Sequence, residues 1–163
     1  LNDKGQVDYE QDFFGRKTVL RLRTEVAYIL EDDEAPLFER FYAGGHRTFR
    51  GFEFRGIGPR GIRADTGVEG NDPVGGDWLL LAGLEYNFPI WQELLRAVFF
   101  TDMGTVQKDP GLNDWRVSIG TGLRVKIPFL GRAPFALDLA VPLLKQDADE
   151  EQLVSFNLAL PLQ

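Results

Sequence analysis

Trp115 to Ile127 reads WRVSIGTGLRVKI. Trp115, Val117, Ile119, Leu123, Val125 and Ile127 fall on one side, and Arg116, Ser118, Gly120, Gly122, Arg124 and Lys126 on the other. Strict period two marks a β-strand with one apolar and one wet face. The pattern recurs on both sides of this stretch. In Lys17 to Leu30, Leu20, Leu22, Val26, Tyr28 and Leu30 alternate with Arg21, Arg23 and Glu25. In Asp77 to Phe88, Trp78, Leu80, Ala82, Leu84, Tyr86 and Phe88 share one face, against a mixed face of Asp77, Leu79, Leu81, Gly83, Glu85 and Asn87. Phe135 to Leu143 alternates too, while Arg96 to Val106 and Leu153 to Leu162 are less regular but compatible.

These segments are longer than the ~5–6 residues of ordinary globular strands and near the length of a tilted membrane-spanning strand. Trp78, Phe88, Trp91 and Trp115 sit near strand ends, where an interfacial girdle would place them. Short connections at 89–95 and 128–134 alternate with longer ones at 31–76, 107–114 and 145–152. Outer-membrane barrels set short turns on the periplasmic side and long loops outside. The expected fold is therefore all-β: an antiparallel transmembrane β-barrel segment over residues 17–163, with the C-terminus periplasmic. Residues 1–16 form a lead-in that can belong to a preceding strand. About six strands cannot close a barrel, since single-chain barrels begin at about eight. The missing strands must come from the rest of the protein or from self-association. A soluble antiparallel sandwich that binds ligands is the alternative that alternation alone leaves open.

The chain has 163 residues, the size of one domain. No apolar run approaches the ~18 residues of a spanning helix. The net charge of −7 argues against a nucleic-acid partner. Zero cysteines remove disulfides and thiol chemistry. The lone His46 has no companions for a metal site, GIGPRG lacks the GK[ST] ending of a phosphate loop, and Ser118 and Ser155 have no base nearby in the pattern. No enzyme, metal or cofactor is expected. Asp147, Asp149, Glu150 and Glu151 read as a solvated acidic turn. The chain begins at Leu1 without a signal-peptide pattern, which reads as part of a longer precursor.

The long connection carries FYAGGHRTFRGFEFRGIGPR from Phe41 to Arg60, rich in glycine, arginine and aromatics. Glycine permits close backbone approach, and arginine offers a planar fork for carboxylates. Such a loop is built to dock. FYAGG, FRGF and GIGPR resemble the sixth extracellular loop of the BamA-type outer-membrane β-barrel assembly proteins, whose hallmark is V/I-R-G-F/Y. VGGD at Val74 to Asp77, LEYNFP at Leu84 to Pro89, FFTDMGTV at Phe99 to Val106, GTGLRVKIP and VPLLKQDADEEQLVSFNLAL follow in order. The resemblance spans Lys17 to Leu160. Phe49 stands where Val or Ile is usual, and the chain ends in Leu162-Gln163 instead of an aromatic.

The resemblance implies the C-terminal part of a larger barrel, of about sixteen strands, with loop 31–76 folded into the lumen. It also implies that acidic residues of two strand motifs hold the loop arginine. Counting faces gives the same two positions. Glu85 lies opposite Trp78 and Leu84, and Asp102 opposite Phe99 and Met103. Arg50 is therefore expected to bridge Glu85 and Asp102, with Gly51 allowing close approach and Phe49 or Phe52 packing on the wall. The implied function is folding and insertion of nascent outer-membrane proteins, without nucleotide. The last strand, Leu153, Val154, Ser155, Phe156, Asn157, Leu158, Ala159 and Leu160, would form one side of an openable seam. Implied partners are outer-membrane lipid, client barrels, the rest of its own barrel with POTRA domains, and accessory lipoproteins. A polypeptide-translocating pore of the two-partner-secretion or TamA type is the alternative within the superfamily.

Overall fold

The structure is a computed structural model that describes residues 6–13, 16–30, 35–62, 65, 67, 69–92, 94–126 and 134–158. Its strands, in chain order, are β1 (Gln6–Phe13), β2 (Arg16–Tyr28), β3 (Gly51–Phe52), β4 (Arg60–Ile62), β5 (Glu69–Pro73), β6 (Trp78–Trp91), β7 (Leu95–Gln107), β8 (Arg116–Lys126), β9 (Pro134–Leu144), β10 (Glu151–Gln152) and β11 (Val154–Leu158). Seven of them form one antiparallel sheet in the order β1-β2-β6-β7-β8-β9-β11. Part of the expected lead-in is β1, hairpinned to β2 from Phe13↔Arg16 to Gln6↔Arg23. The long connection is not featureless: β4 pairs with β5, and β3 pairs with β10 from the far end of the chain.

The two faces of the sheet have opposite chemistry. Leu20, Leu22, Val26, Tyr28, Leu84, Tyr86, Phe99, Ile119, Leu123, Leu137, Leu139, Val141, Leu143, Val154 and Phe156 are all exposed, as alternation along each strand requires. Aromatic contacts reinforce this outer face, with Phe88 stacked on Phe99 and Tyr28 edge-on to Trp78. A continuous apolar surface of this extent is not the exterior of an ordinary soluble domain.

The core lies on the opposite, inner face, between sheet and loop. Ala43, Phe49, Phe52 and Ile57 of the loop pack against Leu79, Leu81 and Val106 of the wall. This explains the mixed face of β6: Leu79 and Leu81 point inward because the loop covers them. Phe49 and Phe52 meet edge to face at 5.2 Å between ring centres, an orientation that aromatic quadrupoles favour.

Candidate functional site: an arginine seated between wall carboxylates

Strand register builds the seat. Arg23, Gly83, Asp102, Ser118 and Pro142 stand opposite one another across β2, β6, β7, β8 and β9. Arg21, Glu85, Phe100, Gly120 and Ala140 form the next inward row. Small residues leave room beside large ones. A Cβ on Gly120 would collide with the Phe100 ring, so glycine there lets the ring lie across β8.

Arg50 of the loop is lodged in this seat. Its Nε donates to Asp102 Oδ2 at 2.8 Å and its Nη2 to Asp102 Oδ1 at 2.9 Å. Its Nη1 donates to Glu85 Oε2 at 2.8 Å, and its backbone N–H to Asp102 Oδ2 at 3.1 Å. The fork–carboxylate geometry with Asp102 is the strong, charge-assisted kind. The side chains of Arg50, Glu85 and Asp102 keep 12%, 14% and 3% of their exposure, so water screens the group only weakly. Burial by itself would lower the Arg50 pKa. The hydrogen bond and charge of Asp102, followed by those of Glu85, outweigh it, and the guanidinium is held more firmly protonated than an ordinary arginine.

The seat contains more than its carboxylates. Phe100 lies under the guanidinium, and Ser118, fully buried, donates its hydroxyl to the Arg50 carbonyl at 2.6 Å. Neither role has a signature in a single sequence. Gly51 has φ +93°, and a Cβ there would lie 3.1 Å from that of Ser118. Glu85 also faces Arg21 at 3.8 Å and Arg124 at 3.9 Å. Arg124 in turn bonds Asp138.

Further contacts brace the loop. Arg23 donates to the carbonyls of Arg47 and Thr48. Arg60 of the GIGPR stretch donates to the carbonyls of Asn71 and Gly56, closing the loop on itself. His46 is exposed in the loop and lines a cavity shared with Arg50, Glu85 and Asp102. Among the described residues, no group of three or more His, Cys, Asp or Glu side chains is placed to hold a metal ion.

The acidic connection 145–153 departs from expectation. Asp149 is not solvated. Its side chain is 1% exposed, and its carboxylate takes Nε and Nη2 of Arg116 at 2.8 and 2.9 Å. It also accepts the Gln146 N–H at 2.7 Å. The acid turns inward because β8 presents Arg116 there. Lys145 and Glu151 pair at the surface, and Glu151 raises the lysine pKa. Of the proposed seam residues, Val154 to Leu158 form β11 and Leu153 precedes it, while Ala159 and Leu160 lie outside the described residues.

Residues 2–160 match the profile of the Omp85 superfamily domain. The chain belongs to the Omp85 superfamily. This Omp85 chain is 34% identical over 125 residues to the outer membrane protein assembly factor BamA of Nitratidesulfovibrio vulgaris, covering 72% of itself and 15% of that protein. It is 30% identical over 122 residues to BamA of Neorickettsia risticii, covering 69% of itself and 15% of the relative. The SAM50-like protein CG7639 of Drosophila melanogaster is 32% identical over 124 residues, with 71% and 26% covered. The Omp85 fold agrees with the crystal structure of BamA from Haemophilus ducreyi lacking POTRA domains 1–3. The TM-score is 0.75 at 22% identity, over 93% of this chain and 32% of that one. The Omp85 chain thus spans about 15% of the length of the two BamA relatives.

Proposed function

We propose that this protein folds and inserts nascent β-barrel proteins into an outer membrane, acting by strand pairing without nucleotide or cofactor. Its similarity to two BamA outer membrane protein assembly factors supports assembly as the activity. The outer apolar face suits lipid, and the inner face, with its seated loop, suits a barrel lumen. In this reading the turn end of the sheet and the C-terminus are periplasmic, and the long connections are extracellular. Partners are client barrels, the remaining strands of its own barrel, POTRA domains and accessory lipoproteins.

The observation that carries the reading is where the last strand parts from its neighbour. The β11–β9 ladder begins at Val154↔Leu139, although β9 runs on to Leu144. In hydrocarbon every backbone polar group needs a partner. An edge that covers only part of its neighbour can open and offer those partners to an incoming strand. Arg50, Gly51, Phe49, Phe52, Glu85 and Asp102 act as the lock that keeps the wall in order while the seam moves. The test is a cysteine pair joining β11 to the first strand of the intact barrel in liposomes. Closing it is expected to stop insertion of an unfolded outer-membrane protein, and reduction to restore it. Undiminished insertion with the crosslink complete would overturn the reading.

A further inference from the structure

The last strand is divided between two partners, and the sequence shows how. Val154 to Leu158 pair with Leu139 to Phe135 of β9. One step further up, Ala140 N–H donates to the Leu153 carbonyl at 2.9 Å. Backbone groups of alternate residues face the same edge of a strand. The next donor on this edge would therefore belong to residue 142, which is proline and has none. Here the chain leaves the wall. Glu151 and Gln152 pair instead with Phe52 and Gly51, the two residues that follow Arg50 in the loop.

The segment above the break is fastened on both sides. Glu53 N–H donates to the Glu150 carbonyl at 2.9 Å, and Glu150 N–H to the Gly56 carbonyl at 3.0 Å. Asp149 is clamped by Arg116 of the wall through two bonds, and Arg116 Nη1 also donates to the Asp114 carbonyl at 2.8 Å. Arg116 lies one inward position from Ser118, whose hydroxyl holds the Arg50 carbonyl. The loop carrying Arg50 and the strand beginning at Val154 are thus joined through residues 149–152.

We propose that residues 145–153 form a latch, positioned by Arg116–Asp149 and released from the wall by Pro142, that couples the last strand to the Arg50 loop. Displacement of β11 pulls on the β3–β10 ladder, so the loop senses whether the seam is open. Arg116 and Asp149 are positioning residues and touch no client. The latch rests on the seam reading of β11 for its purpose, but its existence can be measured without a client.

Hydrogen exchange on the intact protein in liposomes supplies the test. Asp149→Asn is expected to raise exchange about tenfold in peptides covering 49–56 and 149–153 while the β6–β7 ladder stays at the wild-type rate. The charge-swapped pair Arg116→Asp/Asp149→Arg should recover part of that protection. Unchanged exchange at 49–56, or an equal rise in every strand, would overturn the latch. If Asp149→Asn fails to assemble, Pro142→Ala reads the coupling from the other side. By restoring a donor on the β9 edge, it should draw 151–152 back to the wall and loosen 49–56, and an unmoved 49–56 would overturn the proposal. Loss of protection in the variant, together with no client insertion by the wild-type protein, would leave the latch standing and remove the insertase reading instead.

Discussion

The guanidinium carbon of Arg50 stands 3.5 Å from the centre of the Phe100 ring, with carboxylates on its edges. A planar cation suits such a seat, with its face on the aromatic ring and its N–H groups aimed at oxygens. Arg50→Lys keeps the charge but loses the two-pronged bond to Asp102. It should make the 41–60 loop accessible to protease in detergent-solubilised protein. Arg50→Ala should do so more strongly, since stranding one side of a buried pair costs roughly 3–5 kcal/mol. Phe100→Leu should cost about 1 kcal/mol through the lost ring–cation contact.

Asp102 and Glu85 are not equivalent. Asp102 accepts three hydrogen bonds from Arg50, including its backbone N–H, whereas Glu85 accepts one and keeps Arg21 and Arg124 nearby. Asp102→Asn is therefore expected to destabilise by roughly 3 kcal/mol. Glu85→Gln should cost about 1–2 kcal/mol, the scale of one charge-assisted bond. Thermal unfolding in one detergent gives the order directly, and equal losses would refute it.

Gly51 is required twice over, by its backbone angle and by its contact with Ser118. Gly51→Ala should cost roughly 1–3 kcal/mol. Pairing it with Ser118→Gly should relieve the contact but not the angle, so a double-mutant cycle would show partial rescue. Ser118→Ala alone should cost about 1 kcal/mol by leaving the Arg50 carbonyl without its donor.

The outer face makes a prediction about lipid. Leu139 is half exposed at 51%, in the middle of β9. Leu139→Arg should cost about 2–4 kcal/mol if that position meets the bilayer interior. Ala136→Lys, on the inner face, should be nearly neutral. Folding yield into vesicles against urea separates the two.

Alternation made the wall legible: each long strand shows two faces in a single pass. It also puts Glu85 opposite Leu84 and Asp102 opposite Met103, and the structure has both carboxylates on the inner face. The mixed face of β6 carried the seat of the loop in Leu79 and Leu81. What alternation could not reveal depends on distant pairing. Asp149 sits in a run of acids that reads as a wet turn, and its partner Arg116 is 33 positions away. Two-residue ladders such as β3–β10 are too short for any periodicity. Ser118 and Phe100 looked like ordinary strand positions because their roles are set by what lies above them.

The row holding Arg23, Gly83, Asp102 and Ser118 has a mechanical corollary. Loop residues 47–51 reach four successive planks of the wall, through Arg23, Glu85, Asp102 and Ser118. A sheet alone resists sliding of one plank along the next only through its own ladder. A one-residue slip would also carry each inward group to the oily side. With a cross-tie nailed to all four, any such slip must tear out the tie as well. The loop is thereby a brace against shear as well as a plug.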